Sequence, residues 1–470
     1  MKKTLKQLHE ELKNGVTTVE SIVTSYKKII DEKDKEIHAL LGMYSDELVN
    51  SQIAKAKEMF ANGTATILTG IPIVIKDNIL VKGEIATGAS KILENYVATY
   101  DATVIKKLKE AGAILFGRAN MDEFAMGGST ENSAFGVTKN PYDINCVAGG
   151  SSGGSAAVVA YGGAPVSLGS DTGGSIRQPA SFCGVVGLKT TYGDVSRFGV
   201  MAMGSSLDQI GPFGNSAEDV EEVYKIISGY DVMDSTSIPN EKRNQIDKNK
   251  KMVIGVPFDF IKREGVDKEV LLNFNEAMKK MESIGYKIKD ISINQIEKAL
   301  SVYYILMPAE VSSNLARYDG IRYGLSHPGE TSIRSYFESR TAGFGAEVRR
   351  RILLGTYVLS SGYYDSYYNK ANLVKEILKK EFSKTFDEVD IIATPTSPIP
   401  AFKIGEKAED PLAMYLADIF TVPVNIVGVP AISIPSGKNQ AGLPLGVQFI
   451  APHMCESLLF TIGKEFEKLY

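Results

Sequence analysis

The sequence contains few of the residues on which metal, disulfide and histidine-dependent sites are built. Its 470 residues include only four histidines and three cysteines, the latter being Cys146, Cys183 and Cys455. An odd number of cysteines at irregular spacing fits neither a disulfide framework nor a zinc-binding pattern. Cysteine usage of this kind is typical of a reducing compartment, so we expect a cytoplasmic protein.

Long apolar segments and basic clusters are also missing. No apolar run reaches the length of about 18 residues that a transmembrane helix needs, so we expect no membrane contact. The N-terminal residues are followed by no apolar segment of the kind found in secretory signals. The net charge is −4 and the lysines are scattered, which argues against a protein whose main task is to bind nucleic acid.

The residues that are present, 44% hydrophobic and 23% charged, have the proportions of a globular protein. From residue 69 onward, short apolar runs alternate with amphipathic helical patterns, which predicts an α/β fold with a mixed, largely parallel sheet between helical layers. The predicted strands are 71–75, 114–116, 164–168, 185–188, 252–256, 287–291, 389–393, 431–434 and 446–450. We expect an N-terminal helical segment (1–63), a mainly helical insertion (297–386) and one domain over residues 1–470.

A glycine- and serine-rich stretch, residues 148–181, contains two clusters of small residues, Gly149–Ser155 and Gly169–Ser175. The segment between them, residues 156–166, can form a helix and then enter a strand. This order predicts two loops, rich in hydroxyls and free backbone N–H groups, at the same end of a sheet. The apolar segment argues against a flexible linker, and neither cluster has the pattern of a Walker loop or a dinucleotide fingerprint.

Residues 149–153 match the G-x-S-x-G pattern that places a nucleophilic serine, here Ser151, on a sharp turn. Such a serine needs a base. If the base is a histidine, His327 and His453 are the candidates, because the other two histidines precede the motif in polar helical sequence.

Lysine is the alternative base, and Lys76 stands at the end of the apolar run 71–75. A continuous apolar run predicts a strand that is buried on both faces, so Lys76 would be partly desolvated. Desolvation lowers the pKa of a lysine and makes the neutral amine available as a base. A surface lysine that ends a strand is the other interpretation of this residue.

Lys76, Ser151 and Ser175, together with the blocks GGSSGGS (149–155) and GSDTGGSIRQPASFCG (169–184), resemble the amidase signature family. The resemblance implies a large mixed sheet between helical layers and a Ser–cis-Ser–Lys catalytic group. In that group Ser175 matches the nucleophile, Ser151 the serine on the cis peptide and Lys76 the base. A proton would pass from Ser175 through Ser151 to Lys76 and return to the leaving nitrogen.

The loop before the matched nucleophile is expected to form an oxyanion hole, because glycines let successive backbone N–H groups converge on one point. These N–H groups belong to Thr172, Gly173, Gly174 and Ser175. Ser152, Asp171 and Arg177 flank the predicted triad, and we expect them to make structural hydrogen bonds.

Other segments resemble the A-subunit family of glutamyl-tRNA(Gln)/aspartyl-tRNA(Asn) amidotransferases. They are NMDEFAMG (120–127), STENSAFG (129–136), SLDQIGPF (206–213), SSNLARYDG (312–320) and GTY (355–357). This resemblance implies hydrolysis of glutamine, with Arg351 binding the α-carboxylate and Asp418 the α-ammonium. Arg350, the adjacent residue, remains an alternative to Arg351.

The same resemblance implies a heterotrimer with B and C subunits, in which the partner binds ATP and Mg²⁺, holds most of the tRNA and uses the released ammonia. No cofactor is then expected in this chain. Three positions depart from the usual pattern, namely Ala148, Thr190 and Asp194. A free-standing amidase acting on small amides, and a partner-binding scaffold without activity, remain as alternatives.

Overall fold

The computed structural model describes residues 3–239, 241, 252–407 and 410–470. Within these ranges eleven strands form one mixed sheet, and two more, β4 and β5, form a separate ladder. In chain order the strands are β1 (Leu40–Met43), β2 (Pro72–Lys76), β3 (Ile114–Ala119), β4 (Lys139–Asn140), β5 (Asp143–Val147), β6 (Val166–Asp171), β7 (Val186–Lys189), β8 (Gln209–Gly214), β9 (Val253–Val256), β10 (Lys287–Asp290), β11 (Ile391–Pro395), β12 (Ala431–Lys438) and β13 (Pro444–Ile450).

The strand order in the large sheet is β1-β3-β2-β6-β8-β7-β12-β13-β11-β9-β10. Parallel pairs join β3, β2 and β6 toward one side and β11, β9 and β10 toward the other. Antiparallel pairs connect these groups through β8, β7, β12 and β13, and β1 adds an antiparallel edge. The predicted mixed α/β fold is confirmed.

Helices pack against this sheet and extend beyond it. They are α1 (Leu5–Lys13), α2 (Val19–Ile37), α3 (Asp46–Ala61), α4 (Thr103–Glu110), α5 (Gly153–Tyr161), α6 (Arg177–Cys183), α7 (Ala217–Ile227), α8 (Phe258–Ile261), α9 (Lys268–Ser283), α10 (Ala299–Asn314), α11 (Ser332–Gly343), α12 (Ala346–Val358), α13 (Lys370–Phe386), α14 (Pro411–Leu416), α15 (Val422–Val427) and α16 (Glu456–Glu467). In the part of the chain that the structure describes, no helix has both the length and the apolar character needed to cross a membrane.

Two strands of the large sheet were not predicted. Leu40–Met43 forms β1 inside the segment that we expected to be helical throughout, and four residues are too few for a clear alternating pattern. Gln209–Gly214 forms β8 at the centre of the sheet, where Pro212 lies opposite Leu168 of β6. Proline normally argues against a central strand, because it cannot donate a ladder hydrogen bond.

The helices α10 to α13 form most of the predicted insertion, and α10 packs closely on α12. Gly355 of α12 allows this approach, since a Cβ atom at that position would overlap the carbonyl oxygen of Pro308 in α10. Arg351 lies one turn earlier on the same face of α12. The close packing therefore directs Arg351 at α10, where its guanidinium contacts the sulfur of Met307 at 3.5 Å.

Candidate active site

The candidate site lies at the carboxyl ends of β2 and β6, which are parallel neighbours in the sheet. Lys76 ends β2, and Ser170 is the penultimate residue of β6. The Lys76 ammonium nitrogen, Nζ, lies 2.8 Å from Ser151 Oγ, 2.7 Å from Ser152 Oγ and 2.9 Å from Ser170 Oγ. The topology thus brings the predicted lysine into direct contact with the first glycine-rich loop.

Lys76 is fully buried, as its place at the end of an apolar run predicts. Burial lowers the pKa of this lysine to about 7, and the more distant carboxylates of Asp122, Asp171 and Asp208 oppose the shift. No ion pair with Lys76 occurs among the described residues. A large share of the neutral amine is therefore present near pH 7, which is the form that can accept a proton.

Ser151 is held by its backbone at a fixed place in the first loop. The peptide bond between Gly150 and Ser151 is cis, and the Ser151 carbonyl accepts the N–H of Asp122 at 3.2 Å. Two residues earlier, the Gly149 carbonyl accepts the Thr130 hydroxyl at 2.7 Å. A side chain at Gly150 would overlap the Asp122 carboxylate, so only glycine fits this close approach.

Ser175 lies in the second loop, and it is the more accessible of the two predicted serines, at 8% exposure against 0% for Ser151. The Ser152 N–H donates to the Ser175 carbonyl at 3.1 Å, which ties the two loops together. Within the described ranges the Ser175 hydroxyl makes no hydrogen bond. The structure thus joins Lys76 to Ser151, whereas no hydrogen bond joins Ser151 to Ser175; such bonds often tighten only when substrate is bound.

The predicted oxyanion-hole residues do not all offer a free N–H group. The Gly174 N–H donates to Asp171 Oδ1 at 2.9 Å, so this amide is engaged and is not available to an oxyanion in this conformation, contrary to our expectation. The N–H groups of Thr172, Gly173 and Ser175 make no hydrogen bond with any described residue. Thr172 directs its hydroxyl at Asp208 at 2.7 Å.

Asp171 and Arg177 form a fully buried ion pair behind the second loop, with Arg177 Nη2 2.9 Å from Asp171 Oδ1. Burial alone would raise the pKa of Asp171, but the adjacent guanidinium, which also donates hydrogen bonds to the carboxylate, lowers it to about 2. Asn425 adds a bond to the same carboxylate at 2.9 Å. The Asp171 carboxylate therefore stays ionised over the ordinary pH range and braces Gly174, which agrees with the structural role expected of Asp171 and Arg177.

Arg351 is buried beside the rings of Tyr304 and Tyr415, whose centroids lie 5.8 and 5.9 Å from the guanidinium carbon. The two rings stack at 3.8 Å, and Glu347 binds Arg351 Nε at 2.7 Å. Arg350 bonds the other oxygen of Glu347, but 45% of its side chain is exposed. Of the two alternatives, Arg351 is therefore the one that points inward.

Asp418 lies between α14 and α15, beside the second loop. Its Oδ1 atom is sealed from solvent and has no hydrogen-bond partner among the described residues. Burial, and then the negative charge of Asp171, raise the pKa of Asp418 to about 8, against the opposing effects of Arg177 and Arg351. A buried acceptor without a partner is suited to a donor on a ligand, such as an ammonium group.

Two contacts of Lys76, those with Ser152 and Ser170, do not follow from the sequence patterns alone. We expected Ser152 to have only a structural role, and Ser170, although it lies in the second glycine-rich cluster, was assigned no role. A signal was nevertheless present for Ser170, since it sits at the carboxyl end of the strand that pairs in parallel with the strand of Lys76.

The histidine alternative has no geometric support. Within the described chain, no hydrogen bond of Ser151 or Ser175 involves a histidine. His327 is exposed on the segment before α11, and His453 lies between β13 and α16. The described residues also hold no cluster of three His, Cys, Asp or Glu side chains that could bind a metal ion.

The three positions that depart from the family pattern are fully buried and add nothing to the surface; they are Ala148, Thr190 and Asp194.

Comparison with known proteins places these observations in a family. The Amidase family model matches residues 21–460. The chain is 50% identical to the A subunit of glutamyl-tRNA(Gln) amidotransferase from Caldanaerobacter subterraneus subsp. tengcongensis, over 99% of this chain and 96% of that protein. It is 47% identical to the protein of the same name from Microcystis aeruginosa, over 99% and 97%.

Solved structures agree with the sequence comparison. The A subunit of glutamyl-tRNA(Gln) amidotransferase from Thermotoga maritima superposes with a TM-score of 0.79 and 41% identity, over 96% of this chain and 94% of that one. A structure described as an amidase has a TM-score of 0.83 and 28% identity, over 99% of both chains. The buried lysine, the two serine loops and these matches lead to one conclusion: the chain belongs to the amidase family.

Proposed function

We propose that this chain is the glutamine-hydrolysing subunit of a tRNA-dependent amidotransferase, and that it works with partner subunits. The observation that carries the proposal is the contact of the fully buried Lys76 with Ser151, in a loop tied to that of Ser175. It occurs in a chain about half identical, over nearly its whole length, to proteins that bear the name of the A subunit of that enzyme.

In the proposed reaction, neutral Lys76 accepts the Ser151 proton while Ser151 accepts that of Ser175. The Ser175 oxygen attacks the side-chain amide carbon of glutamine, and the oxyanion is bound by the free N–H groups of the loop, which are those of Thr172, Gly173 and Ser175. The carbon–nitrogen bond then breaks, and Lys76 returns the proton through Ser151 to the leaving nitrogen. Ammonia leaves, and water, activated in the same way, cleaves the glutamyl ester to give glutamate.

Two charged groups are proposed to select glutamine over a neutral amide. Arg351, fixed by the aromatic rings of Tyr304 and Tyr415, would bind the α-carboxylate, and the orphaned oxygen of Asp418 would bind the α-ammonium. Arg351 is buried and Asp418 Oδ1 is sealed from solvent, so water weakens a charge pair at either group only a little. Asp418 also neighbours Gly174, which puts this recognition beside the nucleophile loop.

The partner assignment follows the names of the relatives. We propose a heterotrimer in which B and C subunits complete the enzyme, ATP and Mg²⁺ bind at the partner, and the partner holds most of the tRNA. The scattered lysines and the net charge of −4 of this chain support that division of labour.

The test is to purify the chain with its partners from the native cell and to measure ammonia release from glutamine, with and without mischarged tRNA. The proposal expects hydrolysis of glutamine that rises in the complex and falls to background in Ser175→Ala. If the isolated chain instead hydrolyses small neutral amides faster than glutamine, at a rate that partners do not change, it is a free-standing amidase.

A further inference from the structure

The amine of Lys76 is surrounded by oxygen atoms in three directions. Ser151 Oγ lies at 2.8 Å, Ser152 Oγ at 2.7 Å, and Ser170 supplies both Oγ at 2.9 Å and its carbonyl oxygen at 3.3 Å. A neutral amine has two N–H bonds and one lone pair to distribute over these directions. The lone pair can accept the Ser151 proton only if both N–H bonds point at the other two serines.

Ser152 is restricted to accepting a hydrogen bond from Lys76. Its hydroxyl proton is committed to the Ser170 carbonyl at 3.0 Å, and its oxygen also receives the Ser170 N–H at 3.3 Å. The hydroxyl is fully buried, so no water competes for it. An N–H of Lys76 must therefore point at Ser152, since a lone pair there would face an oxygen with no proton to give.

The direction of Ser170 has the same preference. Its carbonyl oxygen is an acceptor only, and a lone pair on Lys76 would repel it. The Ser170 hydroxyl accepts a hydrogen bond from Asn78 Nδ2 at 3.0 Å, and it can also accept the second N–H of Lys76 when its own proton is turned away from the amine. With one N–H on Ser152 and the other drawn toward the carbonyl and hydroxyl oxygens of Ser170, the lone pair faces Ser151.

We propose that Ser152 and Ser170 are positioning residues, which accept the two N–H bonds of neutral Lys76 and so aim its lone pair at the Ser151 hydroxyl. The inference rests on the proposed function, in which Lys76 is the base. Protonation by Ser151 then converts the lone pair into a third N–H along the same line. The proton can return along that line without rotation of the amine.

Removal of the Ser152 hydroxyl tests this arrangement. In Ser152→Ala an N–H can turn toward Ser151 and the lone pair toward the space left by the hydroxyl, which slows the chemical step without touching substrate. Positioned general base catalysis is worth about 10²–10⁴-fold, so we expect kcat to fall by at least about tenfold and KM to change by less than about twofold. The loss of one acceptor also disfavours the ammonium form of Lys76. The acid limb of the kcat profile should therefore move to lower pH.

Ser155→Ala is the matched control. Ser155 lies one turn after Ser152 at the start of α5, is also fully buried, and donates its hydroxyl to the Leu168 carbonyl of β6 at 2.9 Å. It makes the same kind of helix-to-strand bond as Ser152, but it does not contact Lys76. Its kcat and its pH profile should match those of the parent.

The experiment compares the parent, Ser152→Ala, Ser152→Cys, Ser152→Thr and Ser155→Ala in the complex purified with its partners, with thermal unfolding as a check on folding. Cysteine keeps most of the volume but is a weak acceptor, so Ser152→Cys should behave like the alanine variant. Threonine keeps the hydroxyl and should restore the acid limb to its parental position. A parental kcat and pH profile in both Ser152→Ala and Ser152→Cys would overturn the inference, as would equal losses in Ser155→Ala. Lys76→Ala separates the two proposals. Full activity in that variant would show that Lys76 is not the base, which contradicts the proposed function. An inactive Lys76→Ala together with a Ser152→Ala that behaves like the parent would contradict only the positioning role.

Discussion

Asp418 and Gly174 approach each other so closely that a Cβ atom on Gly174 would lie 3.3 Å from Asp418 Oδ1. The carboxyl that we assign to the α-ammonium of glutamine therefore belongs to the immediate surroundings of the nucleophile loop. A small displacement of the bound amino acid would also displace its amide carbon relative to Ser175. Changes that weaken glutamine binding at Asp418 should therefore also slow the chemical step.

Loss of either charged group should raise the KM for glutamine. Truncation of one partner of a buried charge pair typically costs about 2–5 kcal/mol, so Asp418→Ala and Arg351→Ala should each raise KM by more than about tenfold. Hydrolysis of a neutral amide should suffer much less, and Arg349→Ala, at an exposed position of the same helix, is the control. The measurement is kcat/KM for glutamine and for the neutral amide. If both values fell equally in Asp418→Ala and Arg351→Ala, the two residues would have a structural role.

Glutamine binding should release a proton from Asp418. The pKa of the carboxyl is about 8 without substrate, so the group is mainly protonated at pH 7, and a bound ammonium lowers that pKa. We expect release of about one proton at pH 7 and less above pH 8, where the group is already ionised. Calorimetric titration of the inactive Ser175→Ala complex in buffers of different ionisation enthalpy measures this number. Asp418→Asn in the same background should release none, and an unchanged value there would contradict the assignment.

The activity should decline below about pH 7, because Lys76 has a pKa of about 7 and only its neutral form can accept a proton. Burial disfavours the ammonium form of Lys76, so the free amine predominates above about pH 7 and the activity falls as the pH drops below that value. A plot of kcat against pH for the complex should show a single fall on its acid side, with a midpoint near pH 7. Lys76→Arg should be inactive, since arginine is not a base near neutral pH. Activity that stayed constant well below pH 7 would exclude Lys76 as the base.

Ser175→Ala should lose hydrolysis almost completely, since removal of a nucleophile from a coupled group can cost about 10⁶ in kcat. Circular dichroism should show an unchanged fold, because the Ser175 hydroxyl makes no hydrogen bond among the described residues. His327→Ala and His453→Ala should retain normal rates. If either histidine variant were inactive while Ser175→Ala remained active, the elbow mechanism with Ser151 as nucleophile would be favoured.

Gly355→Ala should destabilise the chain and disturb Arg351 at the same time. The added Cβ would overlap the Pro308 carbonyl oxygen, and overpacking of this kind typically costs about 1–3 kcal/mol. Leu354→Ala changes the adjacent residue, which is 43% exposed, and serves as the control. Thermal unfolding of the isolated chain should show a lower Tm for Gly355→Ala alone, and the KM for glutamine should rise in that variant. Equal melting temperatures would show that α10 and α12 have room to separate.

The sequence was sufficient where a residue type leaves little choice of environment. Lys76 follows an apolar run, and its burial is confirmed because such a run fits only the interior of a sheet. Local patterns failed where tertiary contacts determine the structure. Pro212 argued against a strand that is in fact central in the sheet, and the Gly174 N–H, which we expected to be free, donates to the carboxylate of Asp171. The choice between Arg350 and Arg351 likewise depends on the packing of α12 against α10, which adjacent positions in a sequence do not reveal.

The bracing of the second loop reaches far along the chain. Arg177, which holds Asp171, donates to the Thr421 carbonyl at 3.0 Å and to the side chain of Gln448 at 2.6 Å, 244 and 271 residues further on. A chain that is still being synthesised can thus carry Lys76, Ser151 and Ser175 long before it has the groups that fix the nucleophile loop. The conformation of the nucleophile loop therefore depends on groups as late in the sequence as Gln448, and a chain that ends before them lacks this part of its bracing.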